Sequence, residues 1–244
     1  MGFWAALQFL TIFPTPLRHK ADAGISGQSL PYFPLVGLLL GAILLGLYYG
    51  LSFILPPAVI TALLIIALAI LTGAHHLDGL VDTCDGILAG KSKKERLAIM
   101  SDTRVGAFGI VGVVLLLLLK YVSLFYALRM LPALLLMPVL SRWTMVSMIF
   151  TFPYAKRSGM GLPVKQGATW QRLAVATIIA LVIAVVLLKW WGLVLMAALW
   201  LIAFGIAGYF RSRLGGLTGD NYGAINEISE VLVLLLVILI GRFQ

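Results

Sequence analysis

Residues 192–210 read GLVLMAALWLIAFGIAGYF, nineteen consecutive positions without a charge. As an α-helix rising about 1.5 Å per residue, this run matches the roughly 30 Å hydrocarbon core of a bilayer. Outward from it, runs of the same character occupy 34–55, 57–74, 107–128, 132–150 and 173–188, with a shorter one at 231–241. They predict six transmembrane helices and a short seventh. Pro57 and Pro132 stand at first-turn positions, where a missing N–H costs little. The 244-residue chain is 61% hydrophobic and 11% charged, against roughly 45–50% and about 25% in soluble domains. That balance excludes a water-soluble core. It predicts one all-α integral membrane domain over residues 1–244: a polytopic transmembrane helix bundle with short interfacial helices on its cytoplasmic side.

Seven crossings leave the N-terminus and residues 75–106, 151–172 and 211–230 on one side of the membrane. That side carries thirteen of the Lys and Arg residues: Arg18, Lys20, Lys91, Lys93, Lys94, Arg96, Arg104, Lys156, Arg157, Lys165, Arg172, Arg211 and Arg213. The other carries three, Arg129, Lys189 and Arg242. Positive charge accumulates on cytoplasmic loops, so this asymmetry predicts a cytoplasmic N-terminus and cytoplasmic long loops. The net charge of +9 then reports attraction to anionic headgroups rather than to nucleic acid. The first thirty residues lack a basic start and a small-residue cleavage site, and Pro14 and Pro16 cut the apolar stretch short. They read as a retained, short interfacial or half-buried helix. Cys84, the only cysteine, excludes a disulfide framework and reads as a small packing residue. Gly37, Gly41, Gly46 and Gly50, and then Gly106, Gly109 and Gly112, predict close helix packing.

The chemistry lies in the acids. There are nine, and five of them, Asp78, Asp82, Asp85, Glu95 and Asp102, fall within 25 residues; Asp220, Glu227 and Glu230 fall within eleven; Asp22 stands alone. Both clusters are on the expected cytoplasmic side, where folding can bring them together. In HHLDGLVDTCDG, residues 75–86, the three aspartates are spaced i, i+4, i+7 and share one face of a helix within about 60° of arc. Such carboxylates repel one another unless something positive sits among them. Hard oxygen donors at this density suit Mg²⁺ or Mn²⁺, ions that use a few carboxylates, waters and substrate phosphates. The plain alternative is a solvated acidic face paired to Lys91, Lys93, Lys94 and Arg96.

His75, one turn before Asp78, is a candidate acid/base group or ligand. Asp102 is a candidate ligand or base, and Arg104 offers planar bidentate donors for phosphate. Asp220 is a candidate substrate residue or a helix cap, and Glu227 a second ligand or a general base. Two cations interrupt apolar spans, Lys120 and Arg142. Arg142 is about ten residues from either end of its span, roughly 15 Å from an interface, and must find a partner in the bundle interior. That partner is either a structural acid or an anionic substrate group.

With these residues in place, the chain resembles the cobalamin synthases, the adenosylcobinamide-GDP ribazoletransferases. The resemblance runs through YFPLVGLLLG at 32–41, HHLDGLVDTCDG at 75–86, ERLAIMSDTRVGAFG at 95–109, SRW at 141–143 and GDNYGAINEISE at 219–230. Cys84 and Val81 depart from the small residues expected there, without removing a candidate ligand. The resemblance implies a bacterial inner-membrane, Mg²⁺-dependent enzyme of late adenosylcobalamin biosynthesis. Its donor is adenosylcobinamide-GDP, its acceptor α-ribazole or α-ribazole 5′-phosphate, and its leaving group GMP. On that chemistry Asp78, Asp82 and Asp85 are expected to hold Mg²⁺ against the pyrophosphate. Asp82, Asp102, Glu227 and His75 are the expected catalytic groups, and Arg104, Arg142 and Asp220 the substrate-binding ones. The alternatives are a CDP-alcohol phosphotransferase-like enzyme and a metal or organic-cation transporter; the latter is disfavoured by an expectation that only cations lie deep. The glycine-rich spans permit a homo-oligomer.

Overall fold

The computed structural model describes residues 1–16, 27–128, 131–159 and 161–242. Of the residues singled out above, Arg18, Lys20, Asp22 and Arg129 lie outside these. The described chain is helical throughout: α1 Gly2–Leu10, α2 Phe33–Ser52, α3 Pro57–Leu71, α4 His75–Ala89, α5 Lys93–Ile99, α6 Ala107–Ala127, α7 Pro132–Thr151, α8 Gly161–Gln166, α9 Trp170–Leu188, α10 Trp190–Leu214 and α11 Gly219–Ile240. Six of these helical stretches are long and apolar enough to cross a membrane, and α3 makes up to seven when joined to α4. The polytopic bundle expected from hydropathy is therefore present. α1 is the expected short helix, anchored by buried Ala5, Ala6, Leu7 and Leu10.

The centre of the bundle is α7, with 89% of its hydrophobic window inside the fold, against 22% for α6 and for α9. Helices α2, α9, α10 and α11 pack around it. The tightest approach is that of α2. A side chain at Gly37 would collide with the Pro138 carbonyl of α7, and one at Gly41 would come within 2.8 Å of the Leu134 carbonyl. Pro138 lacks the N–H that would have bonded Leu134, so this face of α7 is exposed backbone that only glycine can meet. Gly46 and Gly50 face open space instead, so the close packing expected of them is absent.

The bend that makes the site lies after α3. Gly73 and Ala74 take left-handed backbone angles, φ 61° and 56°. A left-handed non-glycine residue costs about 1–2 kcal/mol, and here it turns the chain rather than continuing the span. Helix α4 leaves at 90° to α3, so the two form one sharply bent unit rather than a straight span. It packs on α6 and α11.

The second acidic cluster departs from expectation. Instead of a cytoplasmic helix carrying Glu227 and Glu230 and a separate short span from 231, one helix runs from Gly219 to Ile240. Thr218 caps it, with Asn221 returning the bond in a capping box, so Asp220 is not the cap. An unbroken helix carries Glu227 and Glu230 about 12 and 16 Å inward from its start. There Lys120 Nζ donates to Glu227 Oε2 at 2.5 Å and to Glu230 Oε2 at 2.7 Å. Arg142 donates to the other oxygen of Glu230 and, at 3.0 Å, to Ser141 Oγ. The expectation that only cations lie deep is thus corrected: two acids and two cations form a neutral set in the interior. Buried charge is tolerable in a membrane when paired in this way.

Candidate active site

Along α4 the three aspartates share a face but not a setting. Asp78 is exposed, Asp82 half-buried and Asp85 buried. Gly79 lies between them, and a side chain there would stand 2.7 Å from the carbonyl of Asp220. The missing Cβ lets the start of α11 lie directly on α4, which is how the two acidic clusters meet. Asn221 Nδ2 donates to Thr83 Oγ1 at 3.0 Å, and Asn226 Nδ2 lies 3.1 Å from His76 Nδ1, so α4 and α11 are also tied by side chains.

Asp82 faces this junction. Burial, then the Asp220 and Asp78 carboxylates, push its carboxyl up to about 6; Lys156 pulls the other way. A carboxylate crowded by carboxylates has use for a cation. Asp85 is engaged differently. Its two oxygens accept from the backbone N–H groups of Gly106 and Gly109, both at 2.8 Å. It thereby satisfies orphan donors at the start of α6, where Gly106 itself offers no side chain. Glycine is required at both positions, because a Cβ would press into the Asp85 carboxylate.

Asp102 and Arg104 form an exposed pair, with Nη2 2.7 Å from Oδ2. Hydrogen bonds from Arg104 hold the Asp102 carboxyl down at about 2. Both line an open cleft of about 320 Å³ together with Asp85, Ile99, Gly106 and Phe108. Asp220 Oδ2 accepts from Thr218 Oγ1 at 3.1 Å and from Lys156 Nζ at 3.2 Å. The same Nζ reaches Ser101 Oγ at 3.3 Å. Lys156 was missed as a site residue, because its sequence neighbourhood marks it only as one more cytoplasmic cation. It arrives here because Ala155 N–H donates to the Leu217 carbonyl, and Leu217 N–H to the Pro153 carbonyl, both at 2.8 Å.

The structure therefore brings Asp78, Asp82 and Asp220 to one junction, with Asp102 and Arg104 on an adjoining rim. His75 opens α4 on an exposed position one turn before Asp78. Glu227 and Arg142 are not at this face: Arg142 is fully buried on Glu230, and Glu227 is about 10 Å deeper along α11 than Asp220. Among the described residues, no three acidic, histidine or cysteine side chains converge closely enough to hold a metal ion. The donors that do gather are carboxylate oxygens with no competing thiolate, which fit Mg²⁺ in kind.

Fold and site together define a polytopic helical membrane protein whose accessible polar chemistry is concentrated at one end of the bundle. The chain belongs to the cobalamin-5-phosphate synthase family, whose model matches residues 2–238. It is 40% identical to the adenosylcobinamide-GDP ribazoletransferase of Geotalea daltonii, over 98% of this chain and 97% of that protein. It is 39% identical to the one of Desulforamulus reducens, over 96% and 94%. It is 36% identical to that of Roseiflexus sp., over 94% and 86%. No solved structure matches the chain.

Proposed function

We propose that the protein is an Mg²⁺-dependent adenosylcobinamide-GDP ribazoletransferase of the bacterial inner membrane, with its site on the cytoplasmic face. The near full-length identity to proteins of that name carries the reading of the activity. It also outweighs the CDP-alcohol and transporter alternatives. For the site, the supporting observation is Asp82, whose carboxyl is raised first by burial and then by the charge of Asp220 and Asp78 beside it.

In the reaction a hydroxyl oxygen of α-ribazole, or of its 5′-phosphate, attacks the donor phosphorus on the cobinamide side. A new P–O bond forms, the phosphoanhydride bond breaks, and GMP departs with the electron pair. When bound, Mg²⁺ would offset the charge of the pyrophosphate and of the departing GMP; Asp82, Asp78 and Asp220 are the carboxylates that would hold it together with waters and substrate phosphates, since no three of the described side chains close on a metal by themselves. Arg104, on the rim, offers Nη1 to phosphate oxygens while its Nε and Nη2 hold Asp102. The hydroxyl proton goes to His75, because Asp102, held near 2 by Arg104, is a weak base. Asp85 fixes α6 against α4, and Arg142 and Glu227 serve the fold.

The test is GMP release from adenosylcobinamide-GDP and α-ribazole by purified protein, with and without Mg²⁺. Turnover that stops on chelation and in Asp82→Ala is expected. Activity on a CDP-alcohol, with none on the cobinamide donor, overturns the reading.

A further inference from the structure

Lys156 is the cation that, among the described residues, pairs with Asp220 at the carboxylate junction. Its side chain is 24% exposed and that of Asp220 27%, so the pair is largely withdrawn from water. The ammonium joins three elements: its own loop after α7, Asp220 at the start of α11, and Ser101 in the connection from α5 to α6. It has a long flexible stem and three rotatable donors, and neither of its two contacts fixes it bidentately. Backbone bonds between residues 153–155 and Leu217 fix the root of the side chain, and its tip is held by those two single hydrogen bonds.

We propose that Lys156 is an internal counter-ion: it holds Asp220 beside Asp82 while the carboxylates lack a divalent ion, and turns onto the donor phosphate once one is bound. The inference rests on the metal-dependent reading above. An ammonium and a divalent cation compete for the same oxygen, Asp220 Oδ2, so binding of the metal displaces Lys156. The displaced ammonium keeps its reach to Ser101, the residue before Asp102 on the rim of the cleft, and so stands next to the rim that Arg104 shares. A purely structural lysine would behave in the opposite sense, since its loss would loosen the junction and weaken metal binding.

The test uses Mn²⁺ as the probe, titrated without substrates into detergent-solubilised full-length protein, with free Mn²⁺ read by electron paramagnetic resonance. Removing one competing charge in Lys156→Met is expected to tighten Mn²⁺ binding roughly three- to tenfold, the effect shrinking as ionic strength rises. KM for adenosylcobinamide-GDP in the same variant is expected to rise. Lys156→Arg, which keeps the charge, is expected to stay close to the parent in Mn²⁺ affinity. Unchanged or weaker Mn²⁺ binding by Lys156→Met overturns the proposal. If that variant loses its helical circular dichroism, Lys156→Gln is titrated in its place under the same criterion. Parent protein that binds no Mn²⁺ and still releases GMP under chelation overturns the metal reading itself, which separates the two failures.

Discussion

At the scale of single residues, Asp82 is a carboxylate in a setting that disfavours its charge. Its folded value, about 6 against 3.8, means that the folded chain binds this proton more tightly than the unfolded chain. The sign follows: the protonated form stabilises the fold at low pH, and that stabilisation is lost as pH rises from about 4 through 6. Asp82→Asn removes the charge and keeps the shape. In chelator at pH 8 it is expected to gain about 1 kcal/mol after discounting for solvent exposure, seen as a higher thermal midpoint. Turnover is expected to fall to background. A lower midpoint would show Asp82 to be structural. The i, i+4, i+7 spacing made the shared face of Asp78, Asp82 and Asp85 legible in the sequence. It could not show that Asp85 meets the N–H groups of Gly106 and Gly109, because a helical wheel gives a direction and not the neighbour found there. Lys156 was illegible for the same reason: its place depends on a backbone contact with Leu217, sixty-one residues further on by number.

At the scale of elements, hydropathy located the spans well but began the last one too late. The turn signal and polar side chains of 219–230 separate a helix through Glu227 and Glu230 from the apolar run at 231, whereas the chain forms one helix, so those two acids were placed at the cytoplasmic face rather than inside the bundle. The signal that could have found them was present in the chain: Lys120 and Arg142 within apolar spans require acids at the same depth. The glycines were half legible, because spacing marks small faces and only the fold decides which are used. Gly37→Ala, pressed against the Pro138 carbonyl, is expected to destabilise the α2–α7 contact by about 1–3 kcal/mol. Gly46→Ala, facing open space, is expected to be neutral or to gain up to about 1 kcal/mol from helix propensity. Denaturation midpoints of the two variants side by side check this. Equal losses would mean that α2 does not seat on α7 through Gly37.

At the scale of the whole molecule, the interior charges join three crossings, α6 through Lys120, α7 through Arg142 and α11 through Glu227 and Glu230. Asn226, bonded at 3.2 Å to Glu230 and close to His76, extends the set to α4. Glu230→Gln strands Arg142 without its acid and is expected to cost about 3–5 kcal/mol. The double variant with Arg142→Met is expected to recover part of that loss in the same denaturation assay. Additive losses would exclude a coupled pair. The proposed orientation of the whole bundle makes its own prediction. With a cytoplasmic N-terminus and seven crossings, Ser158, between α7 and α8, would lie on the cytoplasmic face and Ser52, at the end of α2, on the opposite one. Both positions are exposed, and Cys84 is the only native thiol. On a Cys84→Ala background, Ser158→Cys is expected to react with a membrane-impermeant maleimide only in inverted vesicles, and Ser52→Cys only in intact spheroplasts. The reverse pattern would place the carboxylate junction outside the cell, away from nucleotide-activated donors. Labelling of both from one side would mean that α2 and its neighbours do not cross as their lengths require.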